Sequence, residues 1–588
     1  MILEKDHIRR CAIFLFFDPD GVVDDYVIGI LKGLRPRVEY ILTICNGYVN
    51  GEGREKLKQV SNDIYCRANL GLDVGGYREG LFYIGFKKLS EYDELIMLNY
   101  TFFGPVYPFE EMFDTMSKKD VDFWGITKHH RVDPDPFGCI PYGYLPEHIQ
   151  SFFLVLRSSL FLSYQYKDFI FNMKNPQTYT DSIVGYEAVF TKYFADEGFR
   201  WEVYTDTDEY EGYSFCPNTF YIKELMEEKR CPIIKRRSFF TDYMDFMLNT
   251  CGEPSVKMLE FMRKHLDYDE NLIWDNILRL ENHSEVHRDM HFNYALPSWG
   301  TGYVPQKGSA VICILAESVK RIRWYHRYLK SIPEWADCCV IGDRAACRET
   351  VRFLGASALE RMKRIEIEQF EYQKALQLAA ECSNGYRYTG ILLMENTERQ
   401  QPYSNEVSHQ YADWENMMAS EEYLANLTEV FENNSRLGML IPPIPDYGFW
   451  FEKMEDGWMG RYEQVSELLN LWEVEANRRR AGEPLVPVGG SFWLRSEMLI
   501  EICSWFSKVT EKEFDTETVL LALPFAVQSL GAYTGVVYSD RYLPIMITNE
   551  DYKMRTNNQV VFEKYGPNYL KVCVQNIRDG RFREGGNQ

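Results

Sequence analysis

The chain opens on a short unbroken apolar run, Cys11 to Phe17, as expected of a strand buried on both faces. After an Asp-Pro-Asp-Gly turn, Val23, Tyr26, Val27, Ile30, Leu31 and Leu34 fall at helical spacing, which predicts an amphipathic helix packed on a sheet. The alternation continues with strand 38–43, helix 52–61, strand 63–66, a helix from about Tyr77 to Lys88 and the strand Glu94 to Leu98. Strand–helix–strand repetition of this kind specifies a mostly parallel α/β sheet with right-handed crossovers. Phe240 to Asn282 reads as helical with a break at Gly252–Glu253–Pro254. Residues 283–308 lack periodicity and collect Gly, Pro and polar residues, so a domain boundary is expected there.

The pattern then restarts, with strands at 310–315, 337–341, 364–367 and 389–394 and helices at 317–332, 344–354 and 372–382. Ser151–Phe152–Phe153–Leu154–Val155–Leu156–Arg157–Ser158 is echoed by Ser491–Phe492–Trp493–Leu494–Arg495–Ser496, and Leu95 to Asn99 by Leu392 to Asn396. A further strand follows each copy, Val121 to Ile126 and Leu437 to Ile441. The expectation is two tandem α/β domains, 1–239 and 309–588, joined by a helical segment and linker over 240–308. A chain of 588 residues is in any case too long for one core.

Charge narrows the partners. The net charge of −22 leaves no basic footprint for a nucleic acid; the short run Lys235–Arg236–Arg237 suits a phosphate or a headgroup instead. The fourteen cysteines show no CxxC pair and no Cys/His ligand spacing, which argues against structural zinc. No run approaches the ~20 apolar residues of a membrane span, and the start of the chain is polar. A cytoplasmic protein with reduced thiols is expected, with peripheral attachment to the inner face of the membrane left open.

In open α/β sheets ligands bind beyond the carboxyl ends of the strands, so candidate chemistry is sought there. The first strand is followed by Asp20, the second by Asn46 and the fourth by Asn99. The third is followed by Arg67, Asn69, Asp73 and Gly75 within a segment of three glycines leading into a helix, a place where backbone N–H groups attract anions. Asp73 could then bind ribose or base hydroxyls and Arg67 a diphosphate; equally, this is a glycine turn with Asp73 as a helix cap. No GK[ST] follows, so it is not a P-loop. Asp122 and Trp124 pair a carboxylate with a stacking ring, although Trp124 alone reads as a core aromatic. Glu187 and Asp122 are eligible to take a proton from an acceptor hydroxyl, with His148 a third candidate. A lone His at a strand start is usually structural, and a carboxylate at a helix start can simply complement the dipole.

These residues in this order resemble the rhamnan synthesis protein F family of bacterial polysaccharide glycosyltransferases. The stretches that carry the resemblance are Asp20 to Tyr26, Asn69 to Tyr77, Phe103–Gly104–Pro105, Asp122 to Gly125, His148 to Phe153, Tyr186–Glu187 and Cys231 to Arg236. The resemblance implies a GT-A-like fold, a nucleotide-sugar donor (typically dTDP-rhamnose) and a glycan or lipid-linked glycan acceptor. It also implies Mg²⁺ or Mn²⁺. Relatives often read Asn-Asp-Ser where this chain has Asn99–Tyr100–Thr101, and a tyrosine cannot replace that carboxylate as a hard ligand. Metal dependence is therefore in question, and neutralising the leaving diphosphate would fall to Arg67, Lys235 or Arg236. The second half keeps the family's apolar stretches, Arg436 to Pro443 and Gly490 to Arg495. It departs from the family's polar segments at Met394 to Arg399 and Val519 to Phe525, while Glu395, Glu398 and Glu517 could still form a second site. Two readings result: a transferase whose first domain works, or a carbohydrate-binding assembly subunit without turnover.

Overall fold

The computed structural model describes residues 2–3, 7–241, 243–320, 322–395, 404–450, 457–480, 482–509 and 513–578. The chain divides into two compact units, Met1–Ile277 and Leu278–Gln588.

Unit 1 is built on seven strands: β1 (Arg10–Phe16), β2 (Tyr40–Asn46), β3 (Asp63–Arg67), β4 (Glu94–Asn99), β5 (Phe123–Gly125), β6 (Phe153–Arg157) and β7 (Trp201–Val203). Their order is β7-β5-β6-β4-β1-β2-β3, parallel except for β6, which runs against both β4 and β5. Every residue of β1 is buried, as its unbroken apolar run requires. The helix Leu72–Ile84 lies on this sheet with glycines at the contact. A Cβ on Gly76 would stand 2.1 Å from Leu15 Cδ1, and one on Gly80 2.9 Å from Ile13 Cγ2. Glu94 ties the amino ends of the central strands, accepting from Arg10 Nε (2.7 Å) and Arg157 Nε (3.3 Å).

Unit 2 has eight strands: β8 (Asn293–Leu296), β9 (Ala310–Ala316), β10 (Ala336–Gly342), β11 (Met362–Glu366), β12 (Tyr388–Met394), β13 (Leu437–Ile441), β14 (Phe492–Arg495) and β15 (Tyr533–Ser539). The order is β8-β15-β13-β14-β12-β9-β10-β11, with β14 the antiparallel member. Set β8 aside and the two sheets match strand for strand, including the reversed strand. The sequence echoes fall on equivalent positions: β4 with β12, β6 with β14, β5 with β13. The two tandem, mostly parallel α/β units expected of a GT-A-like chain are present.

Three local expectations are corrected. The third helix of unit 1 starts at Leu72 rather than Tyr77, because Gly71 turns the chain at φ 76° and Gly75 and Gly76 are already helical. Among the described residues of 317–332, only two short pieces are helical, Ile322–Trp324 and His326–Lys330. The segment 240–308, expected as a helical segment and a linker, divides between the two units. Helices Tyr243–Asn249 and Pro254–His265 belong to unit 1, and the division between the units falls inside the helix Asn271–Leu280, after Ile277. Helix His283–Asp289 and strand β8 belong to unit 2. The polar stretch after 282 hides this order because tertiary partners supply it. Asn282 donates from Nδ2 to the Asn477 carbonyl at 2.8 Å, His283 stacks on Phe525 at 4.1 Å, and β8 pairs with the distant β15. No helix among the described residues is long and apolar enough to cross a membrane.

Candidate functional site

A cavity of about 750 Å³ opens in unit 1 at the carboxyl edge of the sheet, the size range of small-ligand sites. Phe17, Asn46 and Asn99, each at or just past the end of a parallel strand, line it, as do Gln150 and Ser151 ahead of the antiparallel β6. Asp73 enters from the first turn of the helix Leu72–Ile84, and Glu187 from the end of a π-helical turn, Ile183–Glu187. Such wide turns recur at functional sites. Lys235, Arg236 and Arg237 come from a two-residue strand, Ile234–Lys235, and the 3₁₀ turn behind it. That strand is held in place by pairing with Phe102–Phe103, just after β4. Aromatic rings, among them Phe152, Phe169 and Phe190, also line the wall.

The polar groups are held in defined states. Asn99 donates from Nδ2 to Asp73 Oδ2 at 2.8 Å and accepts at Oδ1 from both Thr101 N (3.1 Å) and Thr101 Oγ1 (2.7 Å). Burial pushes the Asp73 carboxyl above its usual range; the Asn99 amide opposes this and Glu187 adds to it. Glu187 accepts from Ser151 N at 3.2 Å. Burial lowers the Lys235 ammonium, with Glu187, Cys216 and Asp73 resisting the change, and its Nζ lies 3.9 Å from the centre of the Phe152 ring. Arg236 donates from Nε to Asn276 Oδ1 at 2.8 Å, which fixes that side of the cavity.

Of the candidates, Asn46, Asn69, Asp73, Asn99, His148, Glu187, Lys235 and Arg236 line one cavity. Five do not. Arg67 is buried under the glycine segment, where its guanidinium donates to Asn46 Oδ1, to the Leu70 carbonyl and to Glu79 Oε1 (2.9 Å). Its charge is spent on closing the turn, so it positions Asn46 and the helix start rather than a diphosphate. Gly75 is there for packing: a Cβ would meet the Leu70 carbonyl oxygen at 2.4 Å. Asp20 sits in an exposed turn, its N–H donating to Asp18 Oδ1 at 3.0 Å. Asp122 stands at the amino edge of the sheet, ahead of β5, and accepts from Ser159 Oγ (2.7 Å) and Arg200 N (3.0 Å). It is therefore at the wrong end of the strands to act as a base here. Trp124 is fully buried, donates from Nε1 to Glu94 Oε1 at 3.2 Å and packs edge-on to Phe113. It is a core aromatic.

The sequence reading also missed a residue. His129 pairs with His148 across a two-strand ribbon, and the rings stack at 5.2 Å and 10°. His129 Nδ1 lies 2.7 Å from the His130 carbonyl, and His148 Nδ1 2.7 Å from the Pro146 carbonyl. A carbonyl only accepts, so in each neutral ring Nδ1 carries the hydrogen and Nε2 keeps a lone pair. Burial, with His148 beside it, pushes His129 down to about 4; burial also lowers His148. Arg237, the last of the basic run already singled out for a phosphate, lines the cavity as well and is exposed. No local signal marks His129: its partner is nineteen residues away, across a ribbon of two-residue strands.

The family model for rhamnan synthesis protein F matches residues 41–521, across both units. The chain belongs to the rhamnan synthesis protein F family. No curated protein sequence matches it. Among solved structures, the glycosyltransferase GlyE of Streptococcus pneumoniae TIGR4 aligns at 10% identity over 69% of this chain and 90% of its own, with a TM-score of 0.24. The mannosyltransferase Ktr4p of S. cerevisiae, in complex with GDP, aligns at 9% identity over 28% of this chain, with a TM-score of 0.20. The match spans 60% of the yeast protein's length. Mouse xyloside xylosyltransferase 1 aligns at 11% identity over 39% of this chain and 97% of its own, with a TM-score of 0.20.

For this member of the rhamnan synthesis protein F family, the Asn99–Tyr100–Thr101 departure has a structural counterpart. The Asn99 amide is committed to Asp73 and Thr101, and the Tyr100 ring packs edge-on to Phe16 at 6.1 Å while its carbonyl accepts from Tyr26. Among the described residues no three His, Cys, Asp or Glu side chains gather as a metal set. These residues do not fit an Asp-x-Asp-type divalent ion. The second-unit candidates are scattered in role. Glu517 lies 3.7 Å from Arg461, Glu395 influences the buried Asp413, and Glu398 is outside the described residues together with Asn396, Thr397 and Arg399.

Proposed function

We propose that unit 1 is a glycosyltransferase that binds a nucleotide-activated deoxyhexose and moves the sugar, with inversion, onto a hydroxyl of a growing polysaccharide or lipid-linked glycan. The donor expected from the family is dTDP-rhamnose. The observation that carries this reading is the meeting of Asp73, Glu187 and Lys235 in one cavity at the strand ends. Lys235 and Arg237 attract the diphosphate and stabilise the charge that grows on it as the glycosidic bond breaks. Glu187, oriented by the Ser151 N–H, takes the proton of the acceptor hydroxyl. The freed oxygen attacks the anomeric carbon from the face opposite the diphosphate, which leaves with the bonding electron pair. Asp73, linked to Asn99, and the unprotonated Nε2 atoms of His129 and His148 accept hydrogen bonds from sugar or ribose hydroxyls. Exposed thiols at Cys66, Cys139 and Cys251 suit a reducing cytoplasm.

Thermal unfolding with a panel of nucleotide sugars, with and without Mn²⁺ or EDTA, tests the reading. Binding should raise Tm for one donor class and survive EDTA. Lys235→Ala should cut that affinity by roughly 10-fold or more, the worth of a charge-assisted bond. If no donor raises Tm and none is hydrolysed, the transferase reading fails. Binding without turnover would leave a carbohydrate-binding subunit.

A further inference from the structure

The helical stretch that carries Glu187 runs unbroken from Tyr179 to Asp196, through Tyr179–Ser182, the π-helical turn and Ala188–Asp196. Along it Tyr179, Ser182, Ile183, Tyr186, Glu187 and Phe190 line the cavity. That spacing, steps of three and one in alternation, is one face of a helix. The face also descends. Phe190 is at its foot, packed on Phe194 at 4.7 Å and on Phe123 of β5 at 5.9 Å. Glu187 is half-buried in the middle, and Tyr179 stands 68% exposed at the mouth. At 1.5 Å per residue, the Tyr179 backbone lies about 12 Å from that of Glu187 along the axis, a span longer than one pyranose ring.

A second exposed ring lines the cavity from another segment. Phe137 lies in the loop between the two strands of the histidine ribbon. Asp135 shapes that loop, accepting from Phe137 N at 2.8 Å and Ile140 N at 2.6 Å. The loop is fastened to the Glu187 helix, because Ile140 and Leu145 share a small core with Val184 and Ala188. The ribbon is fastened to it too, through Ile149 N donating to Thr191 Oγ1 at 3.0 Å. Tyr179 and Phe137 are thus held by segments that pack on one another. The strand order reverses between β1 and β4, where Phe17, Asn46 and Asn99 line the cavity and where open α/β sheets take a nucleotide. The Glu187 helix lies instead over β5, on the side of the antiparallel strand. We propose that Tyr179 and Phe137 form a subsite for the acceptor glycan. They hold the sugar that precedes the one whose hydroxyl reaches Glu187, so the protein takes a chain of two or more sugars rather than a monosaccharide. The assignment rests on the transferase reading for the role of Glu187. Broad ring faces, with a hydroxyl on Tyr179, suit a pyranose that presents C–H groups and hydroxyls together.

Calorimetric titration of the full chain with methyl rhamnoside, a rhamnose trisaccharide and dTDP tests the subsite. The trisaccharide should bind roughly 10-fold tighter than methyl rhamnoside, and Tyr179→Ala should remove most of that advantage, as the loss of a stacked ring implies. Phe137→Ala should remove part of it. Both side chains are exposed, so Tm should hold in each variant, and dTDP affinity should stay within about 2-fold. The proposal is overturned if the parent binds both sugars alike or binds neither. It is also overturned if Tyr179→Ala weakens dTDP and spares the trisaccharide, which would make the rings a base-stacking site. A parent that ignores dTDP yet binds the trisaccharide through Tyr179 would sink the transferase reading and keep the glycan subsite.

Discussion

Units 1 and 2 share one sheet plan, yet they treat polar residues at the carboxyl edge in opposite ways. In unit 1, Asp73, Glu187, His148 and Lys235 come from four separate segments and converge on a cavity. In unit 2, the helix Ser404–Met418, beyond the end of β12, buries its own polar stripe of Glu406, His409, Gln410 and Asp413. Burial pushes the Asp413 carboxyl up to about 8, so it is neutral near pH 7, and a Cβ on Gly489 would run into it at 2.6 Å. Glu415 on the same helix is tied to Arg327 (2.5 Å) and the Tyr328 hydroxyl (2.9 Å). A duplicated frame therefore does not duplicate a site: the strands conserve the place, and the side chains decide whether it faces a ligand or the interior.

The largest expected effect separates the two edges directly. Glu187→Gln should lower kcat by roughly 10²–10⁴-fold, as for loss of a general base, with donor affinity nearly unchanged. Asp413→Asn should leave kcat within about 2-fold, because it removes a proton-bearing group that does not face substrate. The reverse result in steady-state assays would move the working site to unit 2.

A smaller effect concerns the frame that both sites depend on. Gly76→Ala should destabilise unit 1 by about 1–3 kcal/mol, the usual penalty for overpacking, because the new methyl collides with Leu15 Cδ1. Chemical denaturation would measure it. An unchanged midpoint would mean that the helix is not held against β1 by its glycines.

The smallest effect is a slope. His129 is held neutral in the fold, with its pKa lowered from 6.5 to about 4. The unfolded chain takes up the proton first as pH falls, so stability is full above pH 6.5 and is lost as pH drops through the window to about 4. His129→Asn should flatten that part of a plot of Tm against pH. An identical slope in the variant would show that the imidazole is not kept neutral. Unit 2 has a carboxyl with the opposite sign: the raised Asp413 group favours the fold at low pH, and that contribution is lost as pH rises through about 8.

The strands were legible because they are short, apolar and bounded. Helix Tyr372–Cys382 and strand Leu437–Ile441 stand where their periodicity puts them. Half of the site was legible for a related reason: Asn46, Asp73 and Asn99 follow strands directly, and parallel strands end on one edge. Arg67, Asp122 and Trp124 misled because position along a strand does not reveal what a long side chain will reach. Arg67 found the Leu70 carbonyl and Glu79, while Asp122 sits at the start of its strand rather than the end. His129 left no trace, since its meaning lies in a ring stacked on it from another strand.

Composition and periodicity alone therefore determined two α/β units, their parallel sheets and the edge where a ligand would sit. Those follow from apolar spacing and from the handedness of the strand crossovers, both of which are local. Only the tertiary structure decided that the Gly71–Gly76 segment is a packed helix start, that unit 1 keeps an open cavity and that the helix Ser404–Met418 of unit 2 buries Glu406, His409, Gln410 and Asp413. Those outcomes depend on which distant groups satisfy each buried charge and donor, and no window of sequence contains both partners.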